Sequence, residues 1–168
     1  MTVTDELLAA NARFAETFSD GHLPRRPARG VAILTCLDAR INPVRALGLA
    51  IGDANVIRNA GGRAADALRS LAVAVGILGV REIVVIHHTD CGLCNVSNAD
   101  VRARIADVVG PEAARTSAEI DFLPFSNLDE SVREDVALIR AFALIPDDIS
   151  VRGFVYYVET GRLQEVVK

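Results

Sequence analysis

Short unbroken apolar runs alternate along this chain with longer stretches whose apolar residues recur every three or four positions. The first pattern marks strands inside a sheet, the second marks helices packed along one side. Residues 4–18 form the first helical stretch: Leu7, Ala10, Phe14 and Phe18 share a face, Thr4 caps it, and Asp5 and Glu6 suit its first turn. A loop rich in Gly and Pro follows over 19–30. The run Val31-Ala32-Ile33-Leu34-Thr35-Cys36 predicts the first strand. Residues 43–50 read as a short helix with Pro43 in its first turn. A second strand is expected over 54–58, a tight turn at Asn59-Ala60-Gly61-Gly62, and a long Ala-rich helix over 64–79. The third strand spans 82–87 and is again continuous and apolar. A cysteine-bearing loop covers 89–95, a helix 99–109, an irregular stretch 110–127 and a last helix 128–143. Two strands, 151–158 and 163–167, close the chain around the turn Glu159-Thr160-Gly161.

Strands that alternate with helices predict an α/β fold, a mostly parallel β-sheet flanked by helices. The length of 168 residues suits one domain, with 1–30 as an N-terminal helix and arm and 31–168 as the α/β core. Ligands of such sheets bind outside the carboxyl ends of the strands. Cys36 stands at that end of the first strand, and His87 and His88 at that end of the third. Neighbouring strand residues point to opposite faces, so His87 is expected to turn away from whatever His88 faces.

Composition sharpens this picture in three ways. Apolar residues make up 51% of the chain but aromatics only 5%, and the mean hydropathy is +0.28. A large buried sheet together with an apolar face covered by a second subunit accounts for that. The net charge of -4 comes with scattered basic residues; the one basic group, Arg25, Arg26 and Arg29, lies in a Pro-rich loop. Neither a nucleic-acid partner nor a membrane partner is expected. The first ten residues carry Asp5 and Glu6 and lack the basic and apolar regions of a leader, and the most apolar window, 68–80, is too short to cross a bilayer. The expected location is the cytoplasm. An odd count of three cysteines in that compartment directs attention to metal or thiol chemistry rather than to a disulfide framework.

The candidate chemistry lies in two runs. Thr35-Cys36-Leu37-Asp38-Ala39-Arg40 ends the first strand, and His88-Thr89-Asp90-Cys91-Gly92 follows the third. Cys36, His88 and Cys91 make a Cys₂His donor set, which suits Zn²⁺ and leaves a fourth tetrahedral position for water or substrate. Asp38 and Arg40 are close enough in sequence to pair beside such a metal. Two other readings stay open. Cys91-Gly92-Leu93-Cys94 is a Cys-x-x-Cys run of the kind that serves thiol-disulfide exchange. Cys94 could also join or replace Cys91 as a ligand, closing the site and making the metal structural. Asn59-Ala60-Gly61-Gly62-Arg63 lacks the glycine spacing and the lysine of a nucleotide loop.

Taken together, Cys36-x-Asp38-x-Arg40, Arg58-Asn59-Ala60-Gly61 and His88-x-x-Cys91-Gly92 resemble the signature of the β-class carbonic anhydrases. Arg152-Gly153-Phe154 and Thr160-Gly161 resemble the ending of a short bacterial branch that also includes carbonyl sulfide hydrolases. The resemblance implies one zinc per chain held by Cys36, His88 and Cys91, with Asp38 and Arg40 as a dyad that orients or deprotonates the reacting water. It implies reversible hydration of CO₂ to bicarbonate, or hydrolysis of carbonyl sulfide or carbon disulfide at the same zinc. It also implies a homodimer or larger homo-oligomer in which the N-terminal helix packs on a partner subunit. Cys94 is additional to the pattern. Trp is absent, so no Trp-built effector pocket is expected.

Overall fold

A computed structural model describes residues 1–168, the side chain of Ala114 excepted. Five strands form one sheet in the order β2-β1-β3-β4-β5. They are β1 (Val31–Cys36), β2 (Ala54–Asn59), β3 (Glu82–His88), β4 (Ser150–Tyr157) and β5 (Arg162–Val167). The first four run parallel, and β5 returns antiparallel beside β4. The register sets Thr35 opposite Ile86 and His88 opposite Tyr156, so the carboxyl ends of β1, β3 and β4 lie side by side.

The core cluster joins this sheet to α3 (Leu68–Gly76) and α6 (Leu128–Arg140). Leu71 and Ala74 of α3 and Val132, Val136 and Ile139 of α6 meet Ala32, Leu34, Ile83, Val85, Val151 and Val155. Those strand residues share one face in the register, so this helix pair covers that face. Gly153 lies on it too: an added Cβ would stand 2.4 Å from Val132 Cγ1, so its lack of a side chain lets α6 approach β4. The opposite face buries Ile33 and Ile86 but leaves Val56 exposed.

Helix α1 (Val3–Thr17) buries none of its residues. Its cap is Thr2 and not Thr4, because Thr2 and Asp5 exchange hydrogen bonds in a reciprocal capping box. Leu7 is 65% exposed and Phe14 53%, although Phe14 and Phe18 touch each other. No helix among the described residues is long and apolar enough to cross a membrane.

Several boundaries depart from the sequence pattern, each for a local reason. The helix expected over 43–50 is the single turn α2 (Pro43–Ala46), capped by Asn42 and ended where Gly48 takes φ +63°. The helix expected from 64 begins at Leu68, because residues 64–67 form a turn of their own, Ala67 N–H to Ala64 C=O. Strand β3 runs one residue further than its apolar run, through His88. Helix α4 (Asn98–Val109) starts in a capping box of Ser97 and Asp100. The stretch expected to be irregular holds a short helix, α5 (Glu112–Thr116). Helix α6 stops at Arg140, three residues early.

The turn over Ala60–Gly62 sits against the ends of β1 and β3. Gly62 has φ +72°, and a Cβ there would lie 2.9 Å from the Cys36 nitrogen and 3.0 Å from the Thr35 carbonyl carbon. Both obstacles are backbone and cannot swing away. Gly62→Ala is therefore expected to destabilise the protein by about 1–3 kcal/mol, read as a lowered midpoint in thermal unfolding.

Candidate metal centre

Two loops at the carboxyl edge of the sheet build the site. The first leaves β1 at Cys36. Thr35 Oγ1 donates to Ile86 C=O at 3.0 Å and fastens β1 to β3 just before the loop begins. Arg58 of β2 then reaches across: its Nε donates to Cys36 C=O at 3.0 Å and its Nη2 to Asp38 C=O at 2.6 Å. Arg40 donates its backbone N–H to Asp38 Oδ1 at 2.9 Å, and its guanidinium grips both carboxylate oxygens, Nε to Oδ1 at 3.0 Å and Nη2 to Oδ2 at 2.8 Å. This two-point geometry is stronger and more directional than a single surface contact.

The second loop leaves β3 at His88. Thr89 N–H donates to Tyr156 C=O at 3.0 Å, and Thr89 Oγ1 donates to Glu159 at 2.9 Å while accepting from Val158 N–H. Asp90 turns the chain with φ 55°. Cys94 N–H closes a turn on Cys91 C=O at 3.0 Å. Asn95 and Leu93 then bond backbone to backbone with Phe125. The ligand-bearing segment is pinned at both ends.

These loops bring Cys36, His88 and Cys91 together. One ligand atom from each lies within 4.8 Å of the other two, and the residues are 5%, 1% and 8% exposed. His88 Nδ1 donates to Thr89 C=O at 2.8 Å, which fixes the ring and leaves Nε2 as the free lone pair. That Nε2 is buried with no hydrogen-bond partner among the described residues. A buried nitrogen left unpaired beside two sulfurs costs stability unless something fills the gap, and a metal ion does so. The donor set, two thiols and one imidazole, fits zinc. Cys94 stands outside the group, and no disulfide forms among the three cysteines. A cavity of about 340 Å³ opens over Cys36, Cys91 and Asp38, and its other walls include Leu37, Ala60 and Leu93.

Electrostatics in the metal-free chain favours one proton shared by the two sulfurs. The Cys91 thiol donates to Cys36 and, against the cost of burial, holds it well below an ordinary thiol, with His88 helping. The Cys36 thiolate, together with burial, pushes Cys91 far above an ordinary thiol. Burial pulls His88 down, but the adjacent Cys36 outweighs it and the net shift is upward. A metal ion held by these three residues would displace a proton from Cys91, and at low enough pH a second from the His88 ring. Zinc affinity is expected to fall as pH falls. Calorimetric titration in buffers of different ionisation enthalpy would show the released protons directly. Arg40 holds Asp38 well below the usual carboxylate range, so Asp38 stays ionised through neutral and mildly acid pH.

His87 turns away, as the strand alternation requires. Its Nδ1 lies 2.8 Å from Ser131 Oγ and its Nε2 3.0 Å from Asp135 Oδ2, both on α6. Asp135 also accepts Ala64 N–H at 3.1 Å and stands 3.2 Å from Arg63 Nε. This buried network ties Arg63 and Ala64, just after the turn over Ala60–Gly62, to α6 and holds His87 on that side of the sheet. Two contacts escaped the sequence: Arg58 on the loop carbonyls, and Asp90 on Arg40. Both join residues 20 or more positions apart, beyond the reach of any local spacing.

The carbonic anhydrase family model matches residues 31–163. The chain is 40% identical over 167 residues to beta-carbonic anhydrase 1 of Mycobacterium tuberculosis, covering 99% of each. The chain belongs to the β-carbonic anhydrase family. A carbonic anhydrase from Streptococcus mutans shares its structure with a TM-score of 0.88 and 44% identity, over 99% of this chain and 98% of that one. A carbon disulfide hydrolase from Acidianus is 34% identical over 157 residues, covering 82% of this chain and 77% of that protein. Relatives of this chain are thus named for two different reactions.

Proposed function

We propose that this chain catalyses the reversible hydration of CO₂ to bicarbonate, with one Zn²⁺ held by Cys36, His88 and Cys91. The observation that carries the reading is the buried Cys₂His group, with His88 Nε2 unpartnered, beside an ionised Asp38. When bound, zinc supplies the Lewis acidity that makes water nucleophilic near neutral pH. The chain's own residues do the rest. Asp38 accepts a hydrogen bond from the attacking water and orients it. Arg40 keeps Asp38 charged and aimed, through two of its own hydrogen bonds. Leu37, Ala60 and Leu93 give the cavity walls that suit a small molecule without charge. Water and CO₂ combine into bicarbonate and one proton, and that proton leaves to solvent.

A second reading keeps the same site and changes the substrate. The Acidianus relative, a carbon disulfide hydrolase, supports carbon disulfide, or carbonyl sulfide as its chemical neighbour, and hydrolysis of either releases hydrogen sulfide. Side-by-side assays of zinc-loaded protein separate the two: fast CO₂ hydration with slow hydrogen sulfide release supports the first, and the reverse order supports the second. A thiol-disulfide or structural zinc role ranks below both, because Cys94 lies outside the metal group.

The working unit we propose is one domain over 1–168 that assembles as a homodimer or larger homo-oligomer in the cytoplasm. The exposed apolar face of α1 supports the assembly, since Leu7, Phe14 and Phe18 remain 65%, 53% and 46% exposed.

A further inference from the structure

The Arg40 guanidinium is divided between two loops. One edge grips Asp38. The other turns to Asp90, with Nη1 donating to Oδ2 at 2.7 Å and Nη2 to the backbone C=O at 3.0 Å. Asp90 belongs to the loop of Cys91, fifty positions along the chain. That loop is held at Thr89 and Cys94 by the bonds described above, so the anchor it offers is fixed. Asp90 also fits its place in backbone terms: φ 55° is a conformation that Asp tolerates better than most residues.

We propose that Asp90 is a positioning residue for the reaction: it clamps Arg40 from the side away from Asp38, so that Asp38 keeps one orientation beside the cavity. The proposal rests on the CO₂ hydration reading. Arg40 and Asp90 are 48% and 72% exposed, and an isolated exposed ion pair contributes little to stability. Here, however, one rigid planar fork serves two carboxylates, so rotation about its stem loosens both at once. The clamp's effect belongs in the rate, where small misplacements of a reacting group are costly, rather than in stability.

Two substitutions isolate the clamp. Asp90→Gly removes the carboxylate without straining the left-handed backbone. Asp90→Asn keeps an acceptor oxygen without its charge. In zinc-loaded protein, Asp90→Gly is expected to lower kcat about tenfold with KM and zinc content little changed. Asp90→Asn is expected to recover most of that loss. The double variant Asp90→Gly with Arg40→Ala should be no slower than Arg40→Ala alone. A second readout does not depend on turnover: the Arg40 Nε–H signal in arginine-labelled protein, assigned by its loss in Arg40→Ala. It should be sharp and slow to exchange in the parent and broadened in Asp90→Gly. Parent-like kcat with an unchanged Arg40 signal in Asp90→Gly would overturn the proposal. So would a loss of zinc that Asp90→Asn fails to rescue, since that describes a residue needed only to shape the loop. If the parent itself fails to hydrate CO₂, the functional reading falls and the positioning role with it, while the Arg40 signal still shows whether the clamp exists.

Discussion

Cys91→Ser is expected to leave the fold standing while zinc falls from about one per chain to near zero and CO₂ hydration drops to the uncatalysed rate. A serine hydroxyl is a poor substitute for a thiolate at a soft, thiolate-rich zinc site. Nothing in the strand pairing or the core cluster around α3 and α6 uses the Cys91 sulfur, so the sheet has no reason to unfold. Cys36→Ser and His88→Ala should behave alike, each leaving two donors of three. Cys94→Ser is the internal comparison. Its sulfur lies outside the group, so zinc and rate should persist. Metal analysis after dialysis, with circular dichroism to check the fold, reads all four. Zinc retained in Cys91→Ser but lost in Cys94→Ser would show that the second cysteine of the pair is the ligand.

Asp38→Asn gives the second large effect, and it separates binding from chemistry. The amide fits the same space but carries no charge and is a weaker acceptor. Zinc should stay near one per chain, while kcat falls by about 10²–10⁴, the usual range for losing a group that handles the proton of the reacting water. The pH behaviour follows from the direction of the shift. Arg40 lowers Asp38 below its unfolded value, so the ionised pair is fully present above the usual carboxylate range and is lost only as pH falls through the lowered folded value. A fall in rate between pH 8 and about 6 must therefore come from groups other than Asp38. Stopped-flow rates across that range, with metal content measured on the same samples, check both statements.

How much of this was legible in the chain depends on how local the cause was. Strand β1 was readable to the residue because its apolar run and its ladder coincide. Strand β3 was readable except for His88, where pairing with Tyr156 carries the strand past its apolar stretch. The opposite directions of His87 and His88 followed from alternation alone. The start of α3 did not, because residues 64–67 are held by a carboxylate of α6, Asp135, seventy-one positions away from Ala64. Helix α2 was overextended because the pattern ran on past Gly48, whose backbone ends it. The site divides in the same way. Residue type and strand-end position pointed to five residues, of which Cys36, His88 and Cys91 do come together and Asp38 does pair with Arg40. Arg58 and Asp90 were visible as residues but not in what they hold, since their partners come together only when the sheet brings its loops to one edge.

The most direct test is a titration of metal-free protein with Zn²⁺, following CO₂ hydration at each addition. The expected result is a rate that climbs linearly to about one equivalent per chain and then stays level, with no rise for Cys91→Ser. A rate that stays at background with the site filled, or one that does not depend on zinc at all, would contradict the proposed reaction.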